Sequence, residues 1–137
     1  MTKTLKLQIV TPEGVAYSDD VEMVGVRAVE GQIGVMPQHV RLMTQMLPGE
    51  ILVRKGGQDK FMAVGEGLVE VTGERVAILT DMCVAVESID EAKVEEARQR
   101  AETRLHEKIS AAELASVNAS LARTMAQLRV KRRHSTS

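Results

Sequence analysis

The sequence MCVAVESIDEAKV, residues 82–94, decides the fold because the spacing of its apolar residues changes within it. Before Ser88 the large apolar residues occupy every second position, as in a half-buried β-strand. After Ser88 the chain contains no glycine or proline, and apolar residues recur every three or four positions, as on one face of a helix. Ser88 with Glu91 fits a capping box at the helix start. We therefore predict a domain of strands over residues 1–87 and a helical domain over residues 88–137.

Upstream of this boundary, short apolar runs alternate with turn signals. Leu5, Leu7 and Ile9 alternate with polar residues, which predicts a strand with one buried face. Turn motifs stand at Thr11-Pro12-Glu13-Gly14, Lys55-Gly56-Gly57-Gln58 and Thr72-Gly73-Glu74. The last two are typical of β-hairpins. Short strands joined by turns, without helices between them, predict a β-sandwich or barrel.

One segment, Glu30 to His39, interrupts the run of strands. It contains Gly31, Gly34 and Pro37, and these residue types permit or impose special backbone angles. We expect a loop of defined shape here. On local grounds, an ordinary tight connection between two strands explains the same residues.

The second half of the chain predicts two antiparallel helices. Asp90 suits the N-terminus of the first helix, and Ser110 with Glu113 forms a second capping box. A connection around residues 107–110 would join the helices as a hairpin. The apolar stripe of the second helix consists of Leu114, Val117, Leu121, Met125 and Leu128. Such a narrow stripe buries little, so we expect the hairpin to need the β domain or another subunit and to be a moving part.

Charge is distributed unevenly along the chain. The net charge of −1 hides a basic final helix, because residues 113–137 contain five basic residues against Glu113 alone. A solvated helix end explains this pattern, since cations suit a helix C-terminus. The sharper hypothesis is contact with an acidic partner surface.

The composition argues against several classes of protein. Tyr17 and Phe61 are the only aromatic residues, so an aromatic platform for nucleic acid is not expected. Cys83 is the only cysteine, which excludes an intrachain disulfide and fits a reducing compartment. We expect Cys83 to be a buried small hydrophobe. No run of about 18 apolar residues is present, so membrane contact would need another subunit.

Catalytic and metal-binding motifs are also missing. The sequence has no Gly-Lys-Ser/Thr phosphate loop and no Gly-x-Ser-x-Gly nucleophile elbow. His39, His106 and His134 lie far apart in sequence, and none has a second histidine or cysteine at ligand spacing. We expect His106 and His134 on solvated helix surfaces. The sequence therefore predicts neither a catalytic site nor a metal site.

Several motifs, in order and at matching spacing, resemble the epsilon subunit of the F-type ATP synthase over nearly the whole chain. They are Leu7-Gln8-Ile9-Val10-Thr11-Pro12, Gly31-x-x-Gly34-x-x-Pro37-x-His39, Gly67-Leu68-Val69-Glu70-Val71, Ile89-Asp90-Glu91-Ala92, Ala122-Arg123 and Leu128-Arg129-Val130. The resemblance implies an N-terminal ten-stranded β-sandwich followed by a C-terminal antiparallel two-helix hairpin.

The resemblance also implies a function. The chain would be a non-catalytic rotor subunit of the central stalk, coupling rotation of the ion-driven c ring and the gamma subunit to ATP synthesis. Extended along gamma, its hairpin would meet the beta and alpha subunits and inhibit ATP hydrolysis. The implied location is peripheral, on the cytoplasmic face of the bacterial inner membrane, with the stromal face of a chloroplast thylakoid as the less favoured alternative. Contact with the membrane would come only through the complex, and no nucleic acid is implied.

Site residues follow from the same resemblance. The surface facing gamma and the c ring would contain Glu30, Gly31, Gln32, Ile33, Gly34, Pro37 and His39. Gln32 is neutral where many family members are acidic. The inhibitory contact to beta would use Arg123, Arg129, Arg132 and Arg133. Glu66 interrupts a common Gly-Gly pair, so it is strained if its position needs a positive φ, and otherwise the turn differs.

Some family members bind ATP on the folded hairpin, through an Ile/Leu-Asp-x-x-Arg-Ala motif. Here Asp90 is retained, Lys93 replaces the arginine, and Arg100 matches a later arginine. Lysine lacks the planar fork of arginine, so we predict weak or absent ATP binding and no other cofactor.

Three other functions compete with the rotor hypothesis. A free-standing ATP-sensing module is the main alternative, and the altered motif at Lys93 argues against it. A small enzyme on a β-sandwich lacks a nucleophile paired with a base. Nucleic-acid binding through the basic end ranks last because the basic patch is short and has no aromatic residues.

Overall fold

In the computed structural model, which describes residues 3–134, ten strands precede two helices. The strands are β1 (Leu5–Thr11), β2 (Gly14–Val21), β3 (Met23–Ala28), β4 (Gly31–Val35), β5 (Leu42–Met46), β6 (Gly49–Lys55), β7 (Gln58–Val64), β8 (Gly67–Thr72), β9 (Arg75–Thr80) and β10 (Cys83–Ala85). A 3₁₀ turn (Val86–Ser88) leads to α1 (Glu91–Leu105) and α2 (Ala111–Arg133). The predicted ten-stranded sandwich with a C-terminal helical hairpin is confirmed.

The strands hydrogen-bond in the order β10-β7-β6-β3-β5-β8-β9-β1-β2, and β4 pairs with β3. Most pairs are antiparallel, but β1 runs parallel to β9. Side chains that alternate along each strand fill one core, and Leu7, Ile9 and Ile78 are fully buried in it. This core is almost entirely aliphatic, as the composition requires.

The predicted hairpin turns are present. Gly56 and Gly57 connect β6 to β7 with φ of 60° and 74°, angles that favour glycine. Gly73 opens the β8–β9 turn with φ of 56°. Both hairpin predictions are confirmed.

The β7–β8 connection differs from the pattern suspected around Glu66. Gln38 alone among the described non-glycine residues has a positive φ, so Glu66 is not strained. The glycines on either side of it, Gly65 and Gly67, are instead the positions where a side chain would meet close contacts. A Cβ on Gly65 would lie 1.7 Å from Asp81 Oδ1, and one on Gly67 would lie 1.9 Å from the Leu79 carbonyl oxygen.

The first helix begins at a different cap from the one expected. Asp90 is the N-cap residue, and its carboxylate accepts a hydrogen bond from the Lys93 backbone N–H at 3.2 Å. The prediction of a capping box at Ser88 is wrong, because Ser88 ends the 3₁₀ turn two residues earlier. The alternative stated for Asp90 is correct.

The second helix begins as predicted. Ser110 Oγ accepts a hydrogen bond from the Glu113 backbone N–H at 3.2 Å, which confirms Ser110 as the cap, while the Glu113 carboxylate accepts from the Ser110 hydroxyl rather than from its backbone N–H. Arg104 at the end of α1 pairs with Glu113 at 2.9 Å. This ion pair joins the two helices beside their connection.

The predicted apolar stripe of α2 is only partly buried. Leu128 is buried, whereas Leu114 and Met125 are exposed. The buried residues are Thr124, Ala126, Leu128 and Val130. At 100° per residue these positions fall on two opposite sides of the helix. The C-terminal half of α2 therefore packs on two sides, against α1 and against the sandwich.

Candidate functional site

The first candidate surface is the segment from Glu30 to His39, where strand pairing replaces much of the expected loop. Gly31–Val35 forms β4, and the β3–β4 turn contains only Val29 and Glu30. Gly31 has a φ of 128°, which requires glycine. Gly34 lies within the strand, and its φ is not positive. The prediction of a loop across residues 31–35 is therefore wrong, because these residues complete a sheet.

Glu30 has a structural contact. Its carboxylate accepts a hydrogen bond from the Thr44 hydroxyl at 2.6 Å, and Thr44 is only 6% exposed. The bond joins the tip of the β3–β4 hairpin to β5 and fixes the position of this end of the segment.

The other end is a tight turn. The His39 backbone N–H donates to the Met36 carbonyl at 3.1 Å. Pro37 is the second residue of this four-residue turn, and Gln38, with a φ of 71°, is the third. Proline followed by a residue of positive φ is the arrangement of a type II turn. The His39 ring donates from Nδ1 to the Val40 carbonyl at 2.7 Å. Within residues 3–134 no group of three or more potential ligand side chains converges on a metal position.

Large apolar side chains around this turn are exposed. Met36, Val40 and Met43 are 60%, 75% and 66% exposed, and we call these three residues the apolar rim. Exposure of several large apolar side chains at one place is typical of an interaction site.

A second exposed set crosses the neighbouring sheet. Leu68 pairs with Leu79, Leu79 with Val10, and Val10 with Val15. We call these four residues the outer row. Leu68, Leu79 and Val15 are exposed, and Val10 is half-buried. Since Met43 pairs with Glu70, two residues from Leu68, the rim and the row lie diagonally adjacent on one outward face.

The four arginines predicted for the inhibitory contact have different surroundings. Arg123 pairs with Asp81 of the sandwich at 3.1 Å. Arg132 pairs with Glu91 at 2.7 Å and with Glu95 at 3.1 Å, both on α1. Arg133 lies 3.7 Å from Glu50.

Arg129 is the exception. It is exposed, and none of the ion pairs within residues 3–134 includes it. The closed hairpin therefore pairs Arg123, Arg132 and Arg133 with carboxylates, whereas Arg129 lines an open groove beside Gln32 and Glu50 of the sandwich without an ion pair in the described residues.

The three residues considered for ATP binding do not form one pocket. The Asp90 carboxylate is used as the helix cap, through the Lys93 backbone N–H. Arg100 lines an open groove along α1 with Gln99 and Thr103, and neither Asp90 nor Lys93 lines that groove.

Ion pairs lower the pKa of one carboxyl group on the helices and of two on the sandwich, Asp19 and Asp59. The hydrogen bond from Arg98 lowers the pKa of Glu95, and the charge of Arg132 lowers it further. On the sandwich, Lys55 lowers the pKa of Asp19 in the same way. Burial raises the pKa of the half-buried Cys83 thiol to about 11, so at neutral pH this thiol is mostly protonated and reacts slowly.

Sequence reasoning missed one cluster. The His134 ring stacks on Phe61 with centroids 3.8 Å apart and planes 21° apart, and its Nε2 contacts the Glu50 carboxylate. The prediction that His134 lies on a solvated helix surface is wrong, because its side chain is only 21% exposed. The one sequence signal was that Phe61 is the only phenylalanine in the chain.

Neither α1 nor α2 has the length and apolarity needed to cross a membrane, as far as the described residues extend.

Comparison with known proteins covers both parts of the chain. Residues 4–86 match the family model described as ATP synthase, Delta/Epsilon chain, beta-sandwich domain. Residues 87–132 match the model described as ATP synthase, Delta/Epsilon chain, long alpha-helix domain.

Individual proteins give the same result. The ATP synthase epsilon chain of Chloroflexus aggregans is 42% identical over 130 residues, 95% of this chain and 94% of that protein. The ATP synthase epsilon chain of Bacillus subtilis is 42% identical over 104 residues, 76% of this chain and 79% of that protein. In fold, the chain is similar to one in the Euglena gracilis mitochondrial ATP synthase OSCP/F1/c-ring structure, with a TM-score of 0.72, 22% identity, and coverage of 89% of this chain and 78% of that one.

Proposed function

The chain belongs to the ATP synthase delta/epsilon chain family, and we propose that it is a non-catalytic rotor subunit of the central stalk of an F-type ATP synthase. It couples rotation of the c ring and gamma to ATP synthesis carried out by other subunits. Its position is peripheral, on the cytoplasmic face of a bacterial membrane. Residues 1–87 form the docking unit and residues 88–137 the regulatory unit.

The outward face of the sandwich supports docking to gamma and the c ring. Met36, Val40 and Met43 surround the Pro37–His39 turn with exposed apolar surface, although the core beneath them is complete. A partner that covers them gains hydrophobic burial without rearranging the sandwich. Glu30, Gly31, Gln32, Ile33 and Gly34 fix the geometry of the neighbouring hairpin, and Gln32 makes any contact there neutral.

Serine substitutions at Met36 and Val40 test this docking surface. Both side chains are exposed, so the isolated chain should keep its melting temperature while its incorporation into the synthase falls. Leu114→Ser is the matched control, because Leu114 is exposed but lies on α2. Normal incorporation of the Met36/Val40 variant would contradict docking through this surface.

The contacts of the closed hairpin support a regulatory role, because many of those that attach α2 to α1 and to the sandwich are polar contacts at the surface. Three of its arginines pair with carboxylates that are partly exposed, and such pairs contribute about 0–1 kcal/mol each. A contact of that strength can be exchanged for one on another subunit. We propose that the extended hairpin presents Arg123, Arg129, Arg132 and Arg133 to an acidic segment of beta and blocks ATP hydrolysis.

Arg129→Gln is the sharpest test of the inhibitory contact. Arg129 has no ion pair to lose in the closed state within the described residues, so the substitution should weaken inhibition without opening the hairpin. Reversing the charges of Arg132 and Arg133 as well would combine two effects, loss of the inhibitory contact and loss of ion pairs in the closed hairpin. Both arginines are paired when the hairpin is closed. ATP hydrolysis by the assembled enzyme should rise in Arg129→Gln, and an unchanged rate would remove Arg129 from the inhibitory contact.

ATP binding is proposed to be weak or absent. Asp90 caps α1, and Lys93 cannot provide the bidentate contact of an arginine. Isothermal titration of the full chain with ATP should give a dissociation constant of about 1 mM or weaker, roughly −4 kcal/mol or less favourable. Micromolar affinity would instead favour the ATP-sensing alternative.

A further inference from the structure

We propose that Glu50 and Phe61 on the sandwich, with Arg133 and His134 on α2, form a clasp that sets the fraction of chains with a closed hairpin. The inference rests on the proposed regulatory function and identifies one contact that stabilises the closed hairpin. Glu50 and His134 are 84 positions apart in the sequence, so the clasp exists only when the hairpin is folded back against the sandwich.

The register of β6 and β7 creates the sandwich side of the clasp. Glu50 pairs with Ala63, and Leu52 pairs with Phe61. Because side chains alternate across a sheet, Glu50, Phe61 and Ala63 share one outward face. Ala63 is fully buried there with Ile89 and Val130. The clasp therefore borders the apolar contact between α2 and the sandwich.

Two side chains at the C-terminal end of α2 contact the Glu50 carboxylate. Its Oε1 contacts His134 Nε2, and its Oε2 lies 3.7 Å from Arg133 Nη1. The Glu50 side chain is only 19% exposed. An ionised carboxylate only accepts hydrogen bonds, so Nε2 carries the proton.

Phe61 holds the same histidine from its other surface. The ring centroids are 3.8 Å apart and the planes nearly parallel, so the imidazole lies over the Phe61 ring and both rings lose contact with water. The imidazole is thus fixed in both direction and plane. One turn earlier, Lys131 Nζ donates to the Val86 carbonyl at 3.2 Å, which ties α2 to the 3₁₀ turn before α1.

The clasp contributes to closure of the hairpin from one end of the contact between α2 and the sandwich. Toward the hairpin tip, residues 111–116 of α2 are all exposed. The contacts between α2 and the sandwich run along β6, β7 and the 3₁₀ turn. The clasp ends this contact region, so the hairpin cannot swing away from the sandwich while the clasp is closed.

The test uses the full-length chain with fluorescent labels at Glu13→Cys and Lys108→Cys. Both positions are exposed, one on the sandwich and one near the hairpin tip, and the raised pKa of the half-buried Cys83 slows its reaction with the label. Energy transfer between the labels gives the ratio of open to closed hairpin.

Glu50→Gln keeps the size of the side chain and removes its charge, and Phe61→Leu removes the stacking ring. Each should raise the open-to-closed ratio about three- to tenfold. Glu70→Gln, on another part of the sandwich, should leave the ratio unchanged.

His134→Gln keeps the test decisive if a sandwich variant fails to fold, because His134 lies outside the sandwich. It should also raise the ratio, and combining it with Glu50→Gln should add less than the two single effects together. Unchanged ratios in Glu50→Gln, Phe61→Leu and His134→Gln would overturn the clasp. A clasp variant that opens the isolated chain but leaves hydrolysis by the assembled enzyme unchanged would contradict the inhibitory role and leave the clasp standing.

Discussion

Val130→Ala is predicted to open the helical hairpin without unfolding the sandwich. Val130 is 2% exposed and packs with Ala63 and Ile89 where α2 meets the sandwich. The substitution removes two buried methyl groups, each worth about 0.8 kcal/mol, and leaves a small cavity. A loss of about 1.6 kcal/mol raises the open-to-closed ratio of the hairpin about 15-fold.

Two measurements on the full-length chain check this prediction. Energy transfer between labels at residues 13 and 108 gives the open-to-closed ratio, and thermal unfolding followed by circular dichroism gives the stability of the strands. Met125→Ala is the matched control, because it removes apolar atoms from the same helix at a position that is 41% exposed. The control should change neither quantity.

Two results would refute the reasoning. An unchanged ratio in Val130→Ala would mean that the apolar contact does not hold the hairpin. A loss of sandwich stability equal to the effect on the hairpin would mean that strands and helices unfold as one cooperative unit.

Three further predictions concern single sites. Gly67→Ala should destabilise the sandwich by about 1–3 kcal/mol in urea unfolding, because its Cβ would lie 1.9 Å from the Leu79 carbonyl oxygen. The Cys83 thiol, whose pKa burial raises from 9.0 to about 11, should react with a disulfide reagent at pH 8 about 100-fold more slowly than in the urea-unfolded chain. Arg98 lowers the pKa of Glu95 from its ordinary 4.5, so the stabilisation is present at neutral pH and lost as the pH falls through the lowered value. Helicity should therefore drop below about pH 4.5, and Glu95→Gln should reduce that drop.

The features that the sequence predicted correctly depend on neighbouring residues. Gly56 and Gly57 adopt the positive φ that a two-residue hairpin requires, and Ser110 caps α2 through Glu113. Local rules also explain the error at the first cap. Ser88 and Asp90 both satisfy the cap pattern, and only the 3₁₀ turn ending at Ser88 decides between them.

The features that the sequence could not predict depend on contacts between distant segments. Nothing beside His134 shows that it meets Phe61 and Glu50, because the β6–β7 register and the closed hairpin bring the three together. The glycines of residues 31–34 suggest a loop, yet pairing with β3 makes them a strand. Likewise, the basic end of α2 predicts an acidic partner, but its intramolecular carboxylates are visible only in the folded chain.

Deleting residues 89–137 from the assembled synthase tests the central claim most directly. If the sandwich docks the rotor and the hairpin inhibits, the complex should assemble normally and hydrolyse ATP faster than the complex with the full chain. Normal assembly with an unchanged rate of hydrolysis would contradict the regulatory role of the hairpin. Failure to assemble would contradict the assignment of docking to the sandwich alone.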